Sequence, residues 1–210
     1  MKVWAMADVQ SQYCSNVQVY LGKQTLVPEK GQGPRVVHDL TAHIRGSGRN
    51  ITVDNFFTNL KLTTDLLNDK FTLVVGTMRR NKREVPPSML PDKRRPEKSS
   101  IFRFTDHTAM DLYVPKRGKA VILLSSMHAD DNVSDGGKPD IILFYNSRKG
   151  GVDALDQLCA TYTTKHKTLG WPLSLFFTFL DIAAVSASIV WCEMHPPSVE
   201  VAATRYHVKF

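Results

Sequence analysis

The stretch Arg49-Asn50-Ile51-Thr52-Val53-Asp54-Asn55-Phe56-Phe57-Thr58 decides the fold. Ile51, Thr52 and Val53 are β-branched and favour extended backbone. Asp54 ends that run, and Leu60, Leu62, Leu66 and Leu67 follow at roughly helical spacing. The pattern is strand, acid, helix. A continuous apolar run from Phe71 to Val75, closed by Gly76, then suits an interior strand covered on both faces.

Toward the N-terminus, Val36, Val37, Leu40 and Ile44 predict a short amphipathic helix that stops at Gly46 and Gly48, after a Gly- and Pro-rich loop from Pro28 to Pro34. Positions 3–7 are apolar or small and end at Asp8, while Val17, Val19 and Tyr20 alternate. Two strands that a hairpin can join are expected there. Toward the C-terminus, Arg79 to Lys98 holds eight Lys or Arg, three acids and four prolines, with little that could be buried, and reads as a basic loop. Ile101–Phe104, Asp111–Val114, Val121–Leu124 and Ile141–Tyr145 read as strands, the last preceded by an acidic, Gly-rich turn from Asp130 to Pro139. After Gly150 and Gly151 the pattern is helical, first through Leu155 and Leu158 and then from Trp171 to about Cys192.

With 210 residues, 42% hydrophobic and 22% charged, the chain is long enough for a buried core, as one domain or one domain with an appendage. That excludes whole-chain disorder and collagen-, mucin- or coiled-coil-like composition. Cys14, Cys159 and Cys192 are odd in number and far apart, which fits neither a disulfide framework nor a four-ligand zinc site. Asp8 interrupts the N-terminal apolar residues before a signal-peptide core could form. No His pair has metal-ligand spacing on a helix. The run from Trp171 to Cys192 has the length of a membrane span. Asp181 stands at its middle, where an acid costs about 2.5–3.5 kcal/mol on insertion. A helix packed on the core or on a dimer partner, with no membrane contact, is the expectation.

Three acids stand where a fold places functional groups: Asp8 and Asp54 at strand ends, and Asp153 where a helix opens. Carboxylates so placed can converge, and an all-oxygen donor set suits Mg²⁺ or Mn²⁺. Two such ions about 3.5–4 Å apart clamp both oxygens of an in-line phosphoryl displacement. Each acid alone has a plainer explanation, helix capping for Asp54 and Asp153 and a turn for Asp8. Spacing leaves the two open.

Several longer blocks speak to the choice. Arg49 to Thr58, the block Gly76-Thr77-Met78-Arg79-Arg80-Asn81-Lys82-Arg83-Glu84-Val85-Pro86, the block from Tyr145-Asn146 through Gly150-Gly151-Val152-Asp153-Ala154-Leu155-Asp156-Gln157, and Trp171-Pro172-Leu173 stand in this order. They resemble, over nearly the whole chain, the transposase domain of the piggyBac family and the host proteins descended from it. At the first acid the match is thinner, because Val9 and Gln10 stand where the family has small or hydroxyl residues. The resemblance implies an α/β fold: an RNase H-like mixed sheet core with helices, interrupted by a β-rich insertion and followed by a C-terminal helical segment. The implied segments are 1–78 and 140–165 for the core, with a strand and the catalytic helix in the latter, 79–139 for the basic loop and insertion, and 166–210 for an incomplete dimerisation and DNA-binding segment. The rest of that segment in the family would precede Met1, and a cysteine-rich zinc finger would follow Phe210.

By the same resemblance Asp8, Asp54 and Asp153 form a catalytic triad holding two Mg²⁺ or Mn²⁺ ions, and Asp156 is an accessory acid one turn on from Asp153. The implied activity is cleavage of double-stranded DNA at transposon ends and transfer to TTAA targets, by a nuclear protein able to form a homodimer. A host protein that keeps the fold and DNA affinity without cutting is the rival, and a two-acid glycosidase is a third reading that the basic charge opposes. Arg79, Arg80, Lys82, Arg83, Arg94, Arg95, Lys149, Lys165 and Lys167 are the candidate DNA contacts, with Lys93, Lys98, Lys116, Arg117, Lys119 and Arg148 beside them. The 79–98 loop alone carries +5 of the formal +7, and phosphate affinity grows with such clustering. Phe56, Phe57, Trp171, Phe176, Phe177 and Phe179 read as core, Trp171 being the one worth testing as a base-stacking platform.

Overall fold

A computed structural model describes residues 2–22, 29–70 and 73–196. In chain order the elements are β1 (Lys2–Ala7), β2 (Cys14–Tyr20), α1 (Gln32–Thr41), β3 (Asn50–Val53), α2 (Leu60–Asn68), β4 (Leu73–Met78), β5 (Ser100–Phe104), β6 (Ala109–Lys116), β7 (Lys119–Ser125), α3 (Asp140–Arg148), α4 (Gly151–Thr161) and α5 (Trp171–Met194). The chain forms two compact units, one of 21–150 and one of 1–20 with 151–210.

The 21–150 unit is built on a mixed five-stranded sheet in the order β3-β4-β7-β6-β5. β3 runs parallel to β4, and every other neighbouring pair is antiparallel. The strands read as an insertion therefore extend the sheet that begins with the acid-bearing strand. Alternation along β7 sends Ile122 and Leu124 into one cluster with Met78, Met110 and Leu112, and Leu123 into another with Val75, Tyr113, Ile141 and Ile142. A third cluster joins Val37 of α1 to Ile51, Val53, Leu62 and Leu66. Leu62 and Leu66 are fully buried, and cutting either to Ala costs about 2–5 kcal/mol.

Local chemistry explains the helices. Gly33, Val36, Val37, Leu40 and Thr41 are the buried face of α1, spaced as the 3.6-residue period requires. The side chain of Asn59 accepts the Leu62 amide at 2.7 Å and starts α2.

Three expectations need correction in this unit. Ile141–Tyr145 is not a strand but part of α3, which starts directly after Pro139 with Asp140 in its first turn. A short apolar run has no decisive period, and here Ile141, Ile142 and Tyr145 fall on one helical face against Val75, Tyr113 and Leu123. Gly76 lies inside β4 and does not close it; Phe71 and Thr72, part of the same run, lie outside the described residues, as does Pro28 in the loop before α1. The basic loop is also better anchored than its composition suggests. Val85 and Met89 are buried with Met78, Met110 and Leu112, Met89 in a single 3₁₀ turn.

The other unit pairs β1 with β2 as an antiparallel hairpin and adds α4 and α5. The start of α4 lies on the end of β1: a Cβ built on Gly151 would touch Val9 Cα at 3.4 Å and the Ala7 carbonyl oxygen at 3.5 Å. α5 is long and apolar enough to cross a membrane by length and composition, and within the single chain most of it is not packed on the core. Asp181 and Val185 are its buried residues. Trp171 and Phe176 are 65% and 58% exposed, and Phe179 is exposed as well, so these three aromatics are surface and not core.

Candidate active site

Asp8 follows β1 and is exposed. Its Oδ1 accepts the Gln10 amide at 3.0 Å, the Ser11 amide at 2.8 Å and the Ser11 hydroxyl at 2.8 Å. Its own amide donates to the Tyr13 carbonyl at 2.9 Å. These bonds close the hairpin loop around the carboxylate, so Asp8 does have the turn role that a lone Asp suggests. That role orients the side chain without burying it.

Asp153 lies in the first turn of α4, two residues after Gly151. Because Gly151 packs on Ala7 and Val9, which flank Asp8, the helix start that carries Asp153 adjoins the strand end that carries Asp8. Asp156 sits one helical turn on. Burial pushes its carboxyl above the ordinary value, the like charge of Asp153 adds to the rise, and Lys165 opposes it.

In the 21–150 unit, Asp54 follows β3 and is exposed. The Asn55 amide donates to Asp54 Oδ1 at 2.6 Å. The Asp54 carbonyl accepts the Phe57 amide at 3.0 Å, the Thr58 amide at 3.1 Å and the Thr58 hydroxyl at 3.0 Å. Gly33 of α1 lets this turn settle close, since a Cβ there would stand 3.0 Å from the Phe56 carbonyl oxygen. Arg79, just past β4, donates from Nε to Asn55 Oδ1 at 3.0 Å and lies 5.7 Å from the Phe56 ring centroid. A guanidinium is thus fixed at the neighbour of Asp54. Sequence reading named Arg79 and missed Asn55; the signal would have been that parallel pairing of β3 with β4 places their ends side by side.

The other predicted cations divide by exposure. Arg80, Arg83, Arg94, Lys149, Lys165 and Lys167 are exposed and Lys82 is half-buried. Arg95 is half-buried too, and its Nη2 donates to the Ser88 carbonyl at 2.9 Å, so it braces the basic loop from within. A second missed residue, and an acid, is Asp111 in the apolar strand β6. It is 0% exposed, among the described residues neither carboxylate oxygen is hydrogen-bonded, and burial raises its pKa to about 7.

As donors, Asp8, Asp54, Asp153 and Asp156 are oxygen-only and suit a small hard cation. Among the described residues, neither unit taken alone gathers three His, Cys, Asp or Glu side chains able to hold a metal ion. Asp8, Asp153 and Asp156 belong to one unit and Asp54 to the other.

Residues 1–187 match the transposase family described as Transposase IS4. The chain is also similar to the piggyBac transposase, solved by cryo-electron microscopy as a synaptic complex with hairpin DNA: 38% identity and a TM-score of 0.83 over 91% of this chain. It spans 40% of the length of that transposase. The fold class is accordingly α/β with an RNase H-like core, its mixed sheet extended by the β5–β7 strands. By the family match over most of its length and this structural likeness, the chain belongs to the piggyBac-type transposase family.

Proposed function

We propose that this chain carries the catalytic core of a DNA strand-transfer enzyme, in which Asp8, Asp54 and Asp153 serve together as ligands of two Mg²⁺ or Mn²⁺ ions, with Asp156 in support. The observation that carries the reading is the close packing of Gly151 on the residues flanking Asp8, which sets the α4 acids beside the first strand's acid. The bound ions would supply charge for a water or 3′ hydroxyl nucleophile and for the leaving oxygen. The chain's own part is to orient. The Ser11 hydroxyl and two amides hold Asp8, the 55–58 turn holds Asp54, and Arg79, tied to Asn55, offers a fixed cation to a phosphate.

Double-stranded DNA is the proposed substrate, with transposon ends as the cut sites and TTAA as the target. Arg79, Arg80, Lys82, Arg83, Arg94, Lys149, Lys165 and Lys167 are its backbone contacts, and Arg95 orders the loop that carries several of them. The exposed apolar side chains of α5, among them Trp171, Phe176, Phe179 and Trp191, favour a homodimer over a solvated helix. A nuclear location is proposed with that activity, since the proposed substrate is double-stranded DNA.

The test is cleavage of a TTAA-containing duplex by the full chain with Mn²⁺, beside Asp54→Asn. The wild type is expected to cut, EDTA to stop it, and Asp54→Asn to lose at least ~100-fold in rate while binding DNA equally. Wild-type binding without metal-dependent cutting would overturn the enzyme reading in favour of a DNA-binding protein that does not cut.

A further inference from the structure

α5 is apolar along most of its length, yet Asp181 at its middle is 1% exposed. Its partners come from the segment that joins α4 to α5. The Thr163 hydroxyl donates to Asp181 Oδ2 at 2.9 Å, and the Thr164 amide and hydroxyl each donate to Oδ1 at 2.7 Å. Lys165 Nζ stands 3.9 Å from Oδ2. Burial acts to raise the Asp181 carboxyl, but the Thr164 and Thr163 bonds and the Lys165 charge hold it below its ordinary value. The carboxylate is therefore ionised at neutral pH and able to accept all three hydrogen bonds.

The segment from 162 to 170 forms neither helix nor strand. Three consecutive residues of it are tied to one side chain, and the next, His166, rests on the Phe177 ring at a centroid distance of 5.7 Å. It is a strap laid on α5. Lys165, His166 and Lys167 of the strap all remain exposed to solvent. The strap continues directly from the end of α4 at Thr161, the helix that carries Asp153 and Asp156. A cation held in place can offset the repulsion that carboxylates exert on an approaching phosphate. It also loses less freedom on binding than one on a loose linker.

We propose that Asp181 is a positioning residue for DNA: it fastens the 163–167 strap to α5 so that Lys165 is held in place to meet a phosphate. The inference rests on the DNA reading above and adds to it a residue that touches no DNA.

The test uses the full chain and a short fluorescein-labelled duplex in EDTA, titrated from about 50 to 200 mM salt. Lys165→Gln is expected to weaken binding and to lower the salt slope by about 0.9, the share of one phosphate contact. Asp181→Asn is expected to do the same, and the double variant to bind no more weakly than Lys165→Gln alone. Should Asp181→Asn fail to fold, Thr164→Val replaces it in the same cycle. Without DNA, tryptic cleavage after Lys165 and Lys167 is expected to quicken by about tenfold in Asp181→Asn, reporting release of the strap. Unchanged cleavage overturns the anchoring. Additive losses in the cycle overturn the positioning role while leaving DNA binding in place. A wild type that binds no duplex overturns the DNA reading, and this role with it.

Discussion

Gly76 lies so close to Val53 that a Cβ built on it would stand 2.8 Å from the Val53 carbonyl oxygen and 2.8 Å from Val53 Cγ2, and would also collide with the Thr58 hydroxyl. Val53 and Gly76 are directly opposite in the parallel pair of β3 and β4. Thr58 is 1% exposed and closes the turn that begins at Asp54. The glycine is therefore the space into which the acid-bearing turn folds.

Gly76→Ala is expected to destabilise the protein by about 1–3 kcal/mol, the cost of overpacking a site hemmed in by the Thr58 hydroxyl, the Val53 side chain and the Val53 carbonyl. Thr58→Ala added to it should recover only part of the loss, because the Val53 carbonyl remains. Chemical denaturation of the three variants checks this; full recovery would show that Thr58 alone limits the space.

Asp111 governs a pH dependence. Its carboxyl titrates near 7 in the folded protein because burial disfavours the charge, against 3.8 as its ordinary value. His128, Asp130 and Asp140 line the same small hollow; burial lowers His128, and Asp130 and Asp140 oppose that shift. Since the folded state holds the proton that the unfolded state has released, stability falls as pH rises from about 4 to about 7 and then levels off, by at most about 4 kcal/mol. Asp111→Asn should flatten that slope whatever its effect on absolute stability. Urea unfolding at a series of pH values measures it, and an unchanged slope would mean that Asp111 ionises freely.

The acids of α4 are coupled, and the direction of each coupling follows from charge. Asp153→Asn removes a like charge and should lower the titration midpoint of Asp156; Lys165→Gln removes an opposite charge and should raise it. Carboxyl carbon NMR on the full chain reads both. Shifts of the same sign in the two variants would contradict the arrangement.

Arg94 and Arg95 are neighbours with different duties. Arg94 is exposed, so Arg94→Gln should weaken duplex binding and its salt dependence with little change in stability. Arg95 donates to the Ser88 carbonyl inside the basic loop. Arg95→Gln should lower stability by about 1 kcal/mol and loosen the loop as well. Thermal unfolding beside fluorescence anisotropy separates the two effects.

What could be read along the chain was what local spacing controls. β-branched residues before Asp54 and leucines after it made β3 and α2 legible, the period of Val36, Val37 and Leu40 made α1 legible, and the aspartates, the loop cations and the family blocks were visible as residues. Those properties depend on neighbours within a few positions. Tertiary structure alone decided whether 141–145 became helix or strand, because either shape would bury Ile141 and Ile142 and only the surface formed by β4, β6 and β7 selects one. It likewise decided that Val85 and Met89 anchor the basic loop, that Asp111 is sealed without a hydrogen-bond partner among the described residues while Asp181 receives three donors from the 163–164 strap, and that Gly151 seats α4 beside Asp8. Solvation and charge pairing are set by atoms far apart in the chain, and no period in the sequence records which of them will meet.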